Sequence, residues 1–306
     1  MDSLLAWKNV GKGRMPLVIS GARQVGKTYS LKEFGRKHFD NIVYVNFESN
    51  PAISSFFSAD LSPHRIIKYL ESAYNEKITS QGTLIIFDEI QVCERALTSL
   101  KYFCEEAPEY HIVAAGSLLG IAINREKYSY PVGKVDSATL HPLDFEEFLW
   151  ATNNERLAQA IHESFLSDTP LPEALHTAAI ELYKHYLIIG GMPAVVQNYL
   201  ETGKLLDVAD LQSKILNEYI ADMAKYATNT ESVRIRAAYN SIPSQLAKDN
   251  KKFQYKVVQK GGNAAFRGPR ADRAAGALFQ FREALVKESA GAFGSDVHGR
   301  GFGAAS

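Results

Sequence analysis

The residues best suited to chemistry lie in a glycine-flanked loop near the start of the chain, GARQVGKT at residues 21–28. This segment fits the pattern G-x-x-x-x-G-K-[ST], in which backbone N–H groups turn inward around a phosphate. Lys27 is predicted to reach the β- and γ-phosphate oxygens of a nucleotide, and Thr28 to offer its hydroxyl to Mg²⁺. The predicted nucleotide contacts are Gly21, Ala22, Arg23, Gln24, Val25, Gly26, Lys27, Thr28 and Tyr29.

The flanks of this loop predict a strand before it and a helix after it. An apolar run occupies residues 16–20, and Leu31 and Phe34 recur at helical spacing beyond the loop. The alternative is that an ordinary glycine turn matches the motif by chance, which would require neither the strand nor the helix. The order of strand, loop and helix favours a phosphate loop whose helix directs its positive end toward the phosphates.

Two adjacent carboxylates, Asp88 and Glu89, follow the apolar run LIIF in the segment TLIIFDEIQ at residues 83–91. The run predicts a buried strand, and ligands of open α/β sheets bind at the carboxyl ends of the strands. Neighbouring carboxylates are costly there unless a cation shares the site. We therefore predict that Asp88 holds Mg²⁺ through the water shell of the ion and that Glu89 is the catalytic base or positions the attacking water. An exposed acidic turn is the alternative.

Ser117 ends another apolar run, residues 111–117, which predicts a further buried strand. Its hydroxyl could hydrogen-bond the γ-phosphate or the attacking water and so sense which nucleotide is bound. It could equally cap the turn into residues 118–121. The residues alone leave both alternatives open.

The elements that position these residues alternate between strand and helix. A further strand is predicted at residues 41–48, and helices are predicted at residues 63–77, with Ser62 as N-cap, and at 95–106. Buried strands that alternate with helices predict an α/β domain at residues 1–150, a parallel sheet covered by helices. Its first 15 residues, which include Lys8, Lys12 and Arg14, are expected to be a solvated lead-in.

From residue 151 the hydrophobic spacing is helical throughout. We predict a smaller helical domain at residues 151–260, which would be a lid or a winged-helix module. The glycines and proline of GGMP, residues 190–193, must form a tight turn between two of the helices. The predicted helices are residues 153–165, 173–189, 194–200, 205–226 and 232–247.

The order of these motifs resembles the AAA-type ATP-binding proteins common in bacteria and archaea. In that family an AAA domain precedes a helical region and a C-terminal domain of unknown function. The likeness covers residues 15–260 and includes FEEF at 145–148 and YLIIGGMP at 186–193. It implies nucleotide and Mg²⁺ roles for Lys27, Thr28, Asp88 and Glu89, and a sensor role for Ser117.

The resemblance also draws attention to a missing arginine. Many relatives have Gly-Arg just before the last strand of this domain, where the arginine could contact the γ-phosphate bound by a neighbouring subunit. Here the pair is Gly133-Lys134, and Arg125 is the nearest arginine. Lysine lacks the bidentate fork of arginine. An unpaired surface lysine is therefore the favoured interpretation of Lys134, and oligomerisation stays open.

Composition limits the remaining classes of function. The 306 residues are 46% hydrophobic and 22% charged, as in globular proteins. The net charge is +0, so the chain has no overall electrostatic attraction for nucleic acid. The two cysteines do not form a disulfide scaffold. The sequence shows no membrane span, no signal peptide and no zinc-ligand spacing, which predicts a cytoplasmic protein.

The C-terminal part carries a basic run and then changes composition. Aromatic residues are interleaved with the lysines Lys248, Lys251, Lys252, Lys256 and Lys260; contact with DNA is one interpretation, and a solvated basic loop is the more common one. Residues 261–306 are rich in Gly and Ala and contain neither Ile nor Tyr. We expect a frameshifted or truncated tail that is disordered except for a helix at residues 274–287.

The motifs together predict a P-loop ATPase that uses MgATP hydrolysis to drive or switch a conformational change on a macromolecular partner. The alternative is a nucleotide-dependent module that binds DNA or protein with little or no turnover. A small-molecule kinase is less favoured, because no acceptor-binding motif stands out.

Overall fold

The computed structural model describes residues 1–11, 13–117, 131–225 and 229–246. Its contacts divide the chain into two compact units, Met1–Leu140 and His141–Ser306. The phosphate-loop sequence and the carboxylate pair both belong to the first unit.

The first unit is built on a five-stranded sheet in which every neighbouring pair of strands is parallel. The strands are β1 Leu17–Gly21, β2 Asn41–Asn46, β3 Thr83–Asp88, β4 His111–Ser117 and β5 Asp136–Leu140. Their order across the sheet is β2-β3-β4-β1-β5, so β1 lies between β4 and β5. The prediction of a parallel α/β sheet is confirmed, and the carboxyl ends of β1, β3 and β4 meet at one edge.

Helices cover both faces of this sheet. They are α1 Asp2–Asn9, α2 Lys27–His38, α3 Pro63–Tyr74 and α4 Glu94–Glu106, with short 3₁₀ helices at Pro51–Phe57 and Ile90–Val92. Strand β3 shows why both faces are buried: Leu84 and Ile86 pack with α1 and α2, whereas Ile85 and Phe87 pack on the face of α3 and α4. Successive side chains of a strand point to opposite faces, so a continuous apolar run serves both layers.

The N-terminal segment differs from the solvated lead-in that was predicted. Leu4 and Trp7 of α1 are buried against the sheet, and the Trp7 indole donates to the Met15 carbonyl at 2.8 Å. Arg14 is also buried, and its guanidinium donates to the carbonyls of Pro108 and Glu109. The prediction was wrong because it weighed the charges of this segment and overlooked the helical spacing of its few apolar residues.

Ser62 does occupy the N-cap position of α3, but its side chain makes no capping hydrogen bond. Pro63 begins the helix; it lacks one of the N–H groups that a helix start leaves unpaired, and its φ angle is already helical.

Every regular element that the structure describes in the second unit is a helix. Its helices are α5 Phe145–Ala151, α6 Glu155–Leu166, α7 Glu173–Ile189, α8 Pro193–Thr202, α9 Leu205–Lys225 and α10 Asn229–Leu246. The five predicted helices agree with α6 to α10 to within three residues at each end that the structure describes, and α5 was not among them. Residues 141–225 and 229–246 contain no strand, so they show no β-wing.

The core of this unit explains why the boundary between the two compact units lies at residue 140. Phe148 of α5 is buried with Ile189, Val195 and Val208, so the helix starting at residue 145 packs with the second unit. The division at residue 140 therefore precedes the predicted domain boundary at 150 by ten residues. Gly190 ends α7 with a φ of 72°, as expected for the turn formed by GGMP.

None of the helices in the described part of the chain has the length and apolar character needed to cross a membrane. Arg125, the basic run at residues 248–260, residues 261–306 and the helix predicted at 274–287 lie outside the described residues.

Candidate nucleotide-binding site

The loop between β1 and α2 is shaped by its two glycines. A Cβ atom at Gly21 would lie 2.4 Å from the Leu140 carbonyl oxygen, closer than any side chain tolerates, so glycine allows β1 to approach β5 there. Gly26 has a φ of 97° and caps the N-terminus of α2. Gln24 also adopts a positive φ, 62°, which is uncommon for a residue with a side chain. The segment thus has the tight backbone that the motif predicted.

Lys27 is folded into this loop. Its Nζ donates to the carbonyl oxygens of Gly21 at 3.1 Å and Ala22 at 2.7 Å, and the residue is only 8% exposed. Burial lowers the pKa of Lys27, and the carboxylates of Glu89 and Asp88 oppose that shift. An ammonium has three N–H donors, so one remains for a phosphate oxygen after the two carbonyls are counted.

Asp88 is a buried carboxylate with three hydrogen-bond donors around it. Thr28 Oγ1 donates to Oδ2 at 2.8 Å, the Tyr44 hydroxyl donates to the same oxygen at 2.7 Å, and the Glu89 N–H donates to Oδ1 at 3.0 Å. The residue is 3% exposed. The Thr28 contact joins the loop to the end of β3 across 60 positions of sequence, which brings together the two residues predicted to hold Mg²⁺.

Glu89 follows in a constrained conformation. Its φ of 52° lies in the left-handed region, which costs about 1–3 kcal/mol for a residue with a Cβ atom. Such a conformation persists only where the surroundings impose it. Gln91 Nε2 donates to Glu89 Oε2, and Gln91 is itself buried. The carboxylate is therefore oriented by its own 3₁₀ turn, Ile90–Val92.

Ser117 is brought to the same edge of the sheet. The register of β1 and β4 pairs it with Gly21, the first residue of the loop, and it is buried. This placement is compatible with a sensor role, which stays a prediction. Tyr29 lies in the first turn of α2 and is 72% exposed, so its ring is accessible beside the loop.

Two site residues on β2 were missed from the sequence, Tyr44 and Asn46. Asn46 Nδ2 donates to the Tyr44 hydroxyl at 3.2 Å, and Asn46 Oδ1 accepts the backbone N–H groups of Glu48 and Ser49. Burial raises the pKa of Tyr44 to about 12, so the phenol keeps its proton at neutral pH. The polar Asn46 at the end of an apolar strand was the available signal.

The donor set suits a magnesium nucleotide. Thr28 supplies a hydroxyl and Asp88 a carboxylate, the hard oxygen ligands that Mg²⁺ takes together with water and phosphate oxygens. The described residues contain no cluster of three or more His, Cys, Asp or Glu side chains able to hold a metal. A site with few protein ligands, completed by substrate phosphates, is the usual arrangement for Mg²⁺.

Lys134 is not the unpaired surface lysine that the sequence suggested. Its Nζ lies 3.0 Å from Glu105 Oε1, and this contact raises the pKa of Lys134 and lowers the pKa of Glu105. The lysine is therefore engaged within its own unit. This ion pair gives no support to a role in contacting a neighbour's phosphate.

Two family models match the chain in succession. Residues 13–149 match the model described as an AAA domain, and residues 180–278 match that of a domain of unknown function, DUF8612. A match to an AAA domain is thus followed by a match to a domain of unknown function, and the predicted resemblance is confirmed. The second match runs to residue 278, beyond residue 260, where the likeness was expected to end.

Individual relatives are distant. An uncharacterized protein of Methanocaldococcus jannaschii, MJ1544, is 24% identical over 205 residues, which are 66% of this chain and 39% of that protein. The chain thus spans well under two thirds of the length of this relative.

Among solved structures, the AMPPCP-bound DnaA of Aquifex aeolicus has 13% identity and a TM-score of 0.35, with 95% of this chain and 91% of that chain covered. The ORC2 protein of Aeropyrum pernix in its ADP form has 14% identity and a TM-score of 0.36, with 94% and 91% covered. With TM-scores below 0.5, neither structure carries a functional assignment to this chain.

Proposed function

We propose that this AAA domain binds MgATP in the loop at residues 21–28 and hydrolyses it, and that the cycle drives or switches a conformational change on a macromolecular partner. The observation that carries the proposal is the 2.8 Å hydrogen bond between Thr28 Oγ1 and Asp88 Oδ2. This short distance supports a site in which the hydroxyl of the phosphate loop and the carboxylate at the end of β3 share one cation.

Each side chain has a separate task in this proposal. Lys27 neutralises the β- and γ-phosphates from inside the loop, where burial strengthens the attraction. Thr28 and Asp88 hold Mg²⁺, which when bound would neutralise charge that develops on the phosphate oxygens. Glu89, one residue beyond Asp88, positions or deprotonates the attacking water. Ser117 contacts the γ-phosphate or that water.

ATP binding is tested by equilibrium titration with a fluorescent ATP analogue. Lys27→Ala removes the buried ammonium and should abolish measurable binding or weaken it strongly. Lys37→Ala, an exposed lysine near the end of the same helix, is the matched control and should bind like the wild type. Equal affinity of the two variants would remove Lys27 from its assigned role.

Turnover is tested separately, because binding does not require the base. Glu89→Gln keeps the size of the side chain and removes its charge, so it should bind ATP and slow hydrolysis by about 10²-fold or more. Glu76→Gln changes an exposed glutamate just after α3 and should not alter the rate. Wild-type turnover in Glu89→Gln would exclude the proposed role of Glu89.

A second function is favoured by one specific contact. The hydrogen bond from Gln91 occupies a carboxylate oxygen of Glu89, and a base engaged in this way is less available to a water molecule. A module that senses ATP and binds DNA or protein with slow or incidental hydrolysis would use the same pocket. ATP bound without measurable turnover in the wild type, together with partner affinity that depends on nucleotide, would favour this function.

A further inference from the structure

A chain of hydrogen bonds runs from the turn after β2 to the proposed magnesium site. The backbone N–H groups of Glu48 and Ser49 donate to Asn46 Oδ1, Asn46 Nδ2 donates to the Tyr44 hydroxyl, and Tyr44 donates to Asp88 Oδ2. The last contact is 2.7 Å long.

The direction of each bond in this chain is determined. Two backbone donors at Asn46 Oδ1 fix the orientation of the amide, so its NH₂ group faces Tyr44. A phenol has one proton, and the Tyr44 oxygen already accepts from Asn46. Its proton is therefore directed at Asp88, because an ionised carboxylate only accepts.

Tyr44 is also positioned from its other side. Lys32 of α2 places its ammonium 3.7 Å from the centre of the Tyr44 ring, a cation–π contact. The ring is thus held between α2 and the sheet, while its hydroxyl reaches across from β2 to the end of β3.

Binding of Mg²⁺ is compatible with both side-chain contacts at Asp88 Oδ2. A threonine hydroxyl has one proton and two lone pairs, so Thr28 Oγ1 can face the cation while its proton stays directed at Asp88. Tyr44 donates to the same carboxylate oxygen from outside the set of residues proposed to hold the metal. Of these two hydroxyls, only that of Tyr44 has the single task of orienting the carboxylate.

We propose that Tyr44 is a positioning residue that holds the Asp88 carboxylate in the orientation that the Mg²⁺ site requires. The inference rests on the proposed function. Groups that hydrogen-bond a metal ligand from outside typically affect metal affinity by about 10–100-fold.

The test measures binding of a fluorescent ATP analogue to the full chain, once in EDTA and once in saturating Mg²⁺. The ratio of the two dissociation constants is the gain in affinity due to Mg²⁺. Tyr44→Phe removes only the hydroxyl, so we expect unchanged affinity in EDTA and a gain reduced about tenfold. Tyr69→Phe, on α3 and away from Asp88, is the matched control and should keep the full gain.

A double-mutant cycle with Asp88→Asn separates positioning from packing. If Tyr44 acts through Asp88, Tyr44→Phe should reduce the gain in the wild-type background and have no further effect in the Asp88→Asn background. An equal effect in both backgrounds overturns the inference. A Tyr44→Phe variant that keeps the full gain also overturns the inference. The same holds for a variant that loses affinity equally in EDTA and in Mg²⁺, because its pocket is damaged or it fails to fold.

The wild-type protein distinguishes this inference from the function on which it rests. If the wild type binds no nucleotide under either condition, or gains nothing from Mg²⁺, the proposed function fails. If the wild type shows the gain and Tyr44→Phe retains it, the function stands and only the role of Tyr44 is wrong.

Discussion

Replacing Thr28 by Val tests the hydrogen bond that joins the loop to the end of β3. Valine matches threonine in shape and keeps the β-branched character of this helix position, so the change mainly removes a hydroxyl. Asp88 would keep the Tyr44 hydroxyl and the Glu89 N–H and lose one of its three donors.

The expected cost follows from the burial and charge of the carboxylate. A hydrogen bond to a charged group contributes about 1.5–3 kcal/mol, and Asp88 is too buried for water to replace the lost donor readily. We therefore expect Thr28→Val to lower the free energy of unfolding of the nucleotide-free protein by about 1.5–3 kcal/mol. Thr28→Ser retains a hydroxyl and should recover most of that loss.

Urea denaturation without nucleotide or Mg²⁺, followed by circular dichroism and by tryptophan fluorescence, measures this difference. Thr98→Val is the matched control, since the Thr98 hydroxyl only bonds the Glu94 carbonyl within its own helix at 3.1 Å. A Thr28→Val variant as stable as the wild type would show that this hydrogen bond contributes no net stability, contrary to this prediction.

Two further predictions concern stability away from the pocket. Burial lowers the pKa of His111 to about 4, so the unfolded chain binds a proton first as the pH falls. We therefore expect the free energy of unfolding to decrease between pH 6.5 and 4, by at most about 3 kcal/mol. Urea midpoints measured across that range should fall less steeply in the non-titrating His111→Asn variant, and parallel curves would exclude the effect. Asp144 accepts the Glu147 N–H at 2.8 Å in a capping box at the start of α5. In thermal unfolding, Asp144→Ala should lower the stability by about 1 kcal/mol, whereas the exposed control Asp210→Ala should not. An equal loss of stability in both variants would show that the capping box contributes nothing specific.

The loop and the strand ends could be predicted because their signals are local. The spacing of Gly21, Gly26 and Lys27 encodes a backbone path, and the run before Asp88 encodes a strand buried on both faces. Once the sheet is parallel, the ends of β1 and β3 must lie at one edge, which is why Thr28 and Asp88 meet.

Contacts between elements that carry no motif could not be predicted. The hydrogen bond from Tyr44 to Asp88 depends on the β2–β3 register, which pairs Asn46 with Asp88, and one sequence does not state that register. The burial of Arg14 depends on carbonyls at residues 108 and 109, and the Lys134 ion pair depends on α4. In each case the charge was visible in the sequence and its tertiary partner was not.

Whether this pocket hydrolyses MgATP for work on a partner can be measured as the steady-state hydrolysis rate with and without duplex DNA, with Lys27→Ala as the blank. We predict turnover above the blank that falls by about 10²-fold or more in Glu89→Gln, and an increase with DNA would identify nucleic acid as the partner. Turnover no higher than the blank in both conditions, with ATP still bound, would contradict the proposed ATPase activity and favour the nucleotide-sensing module.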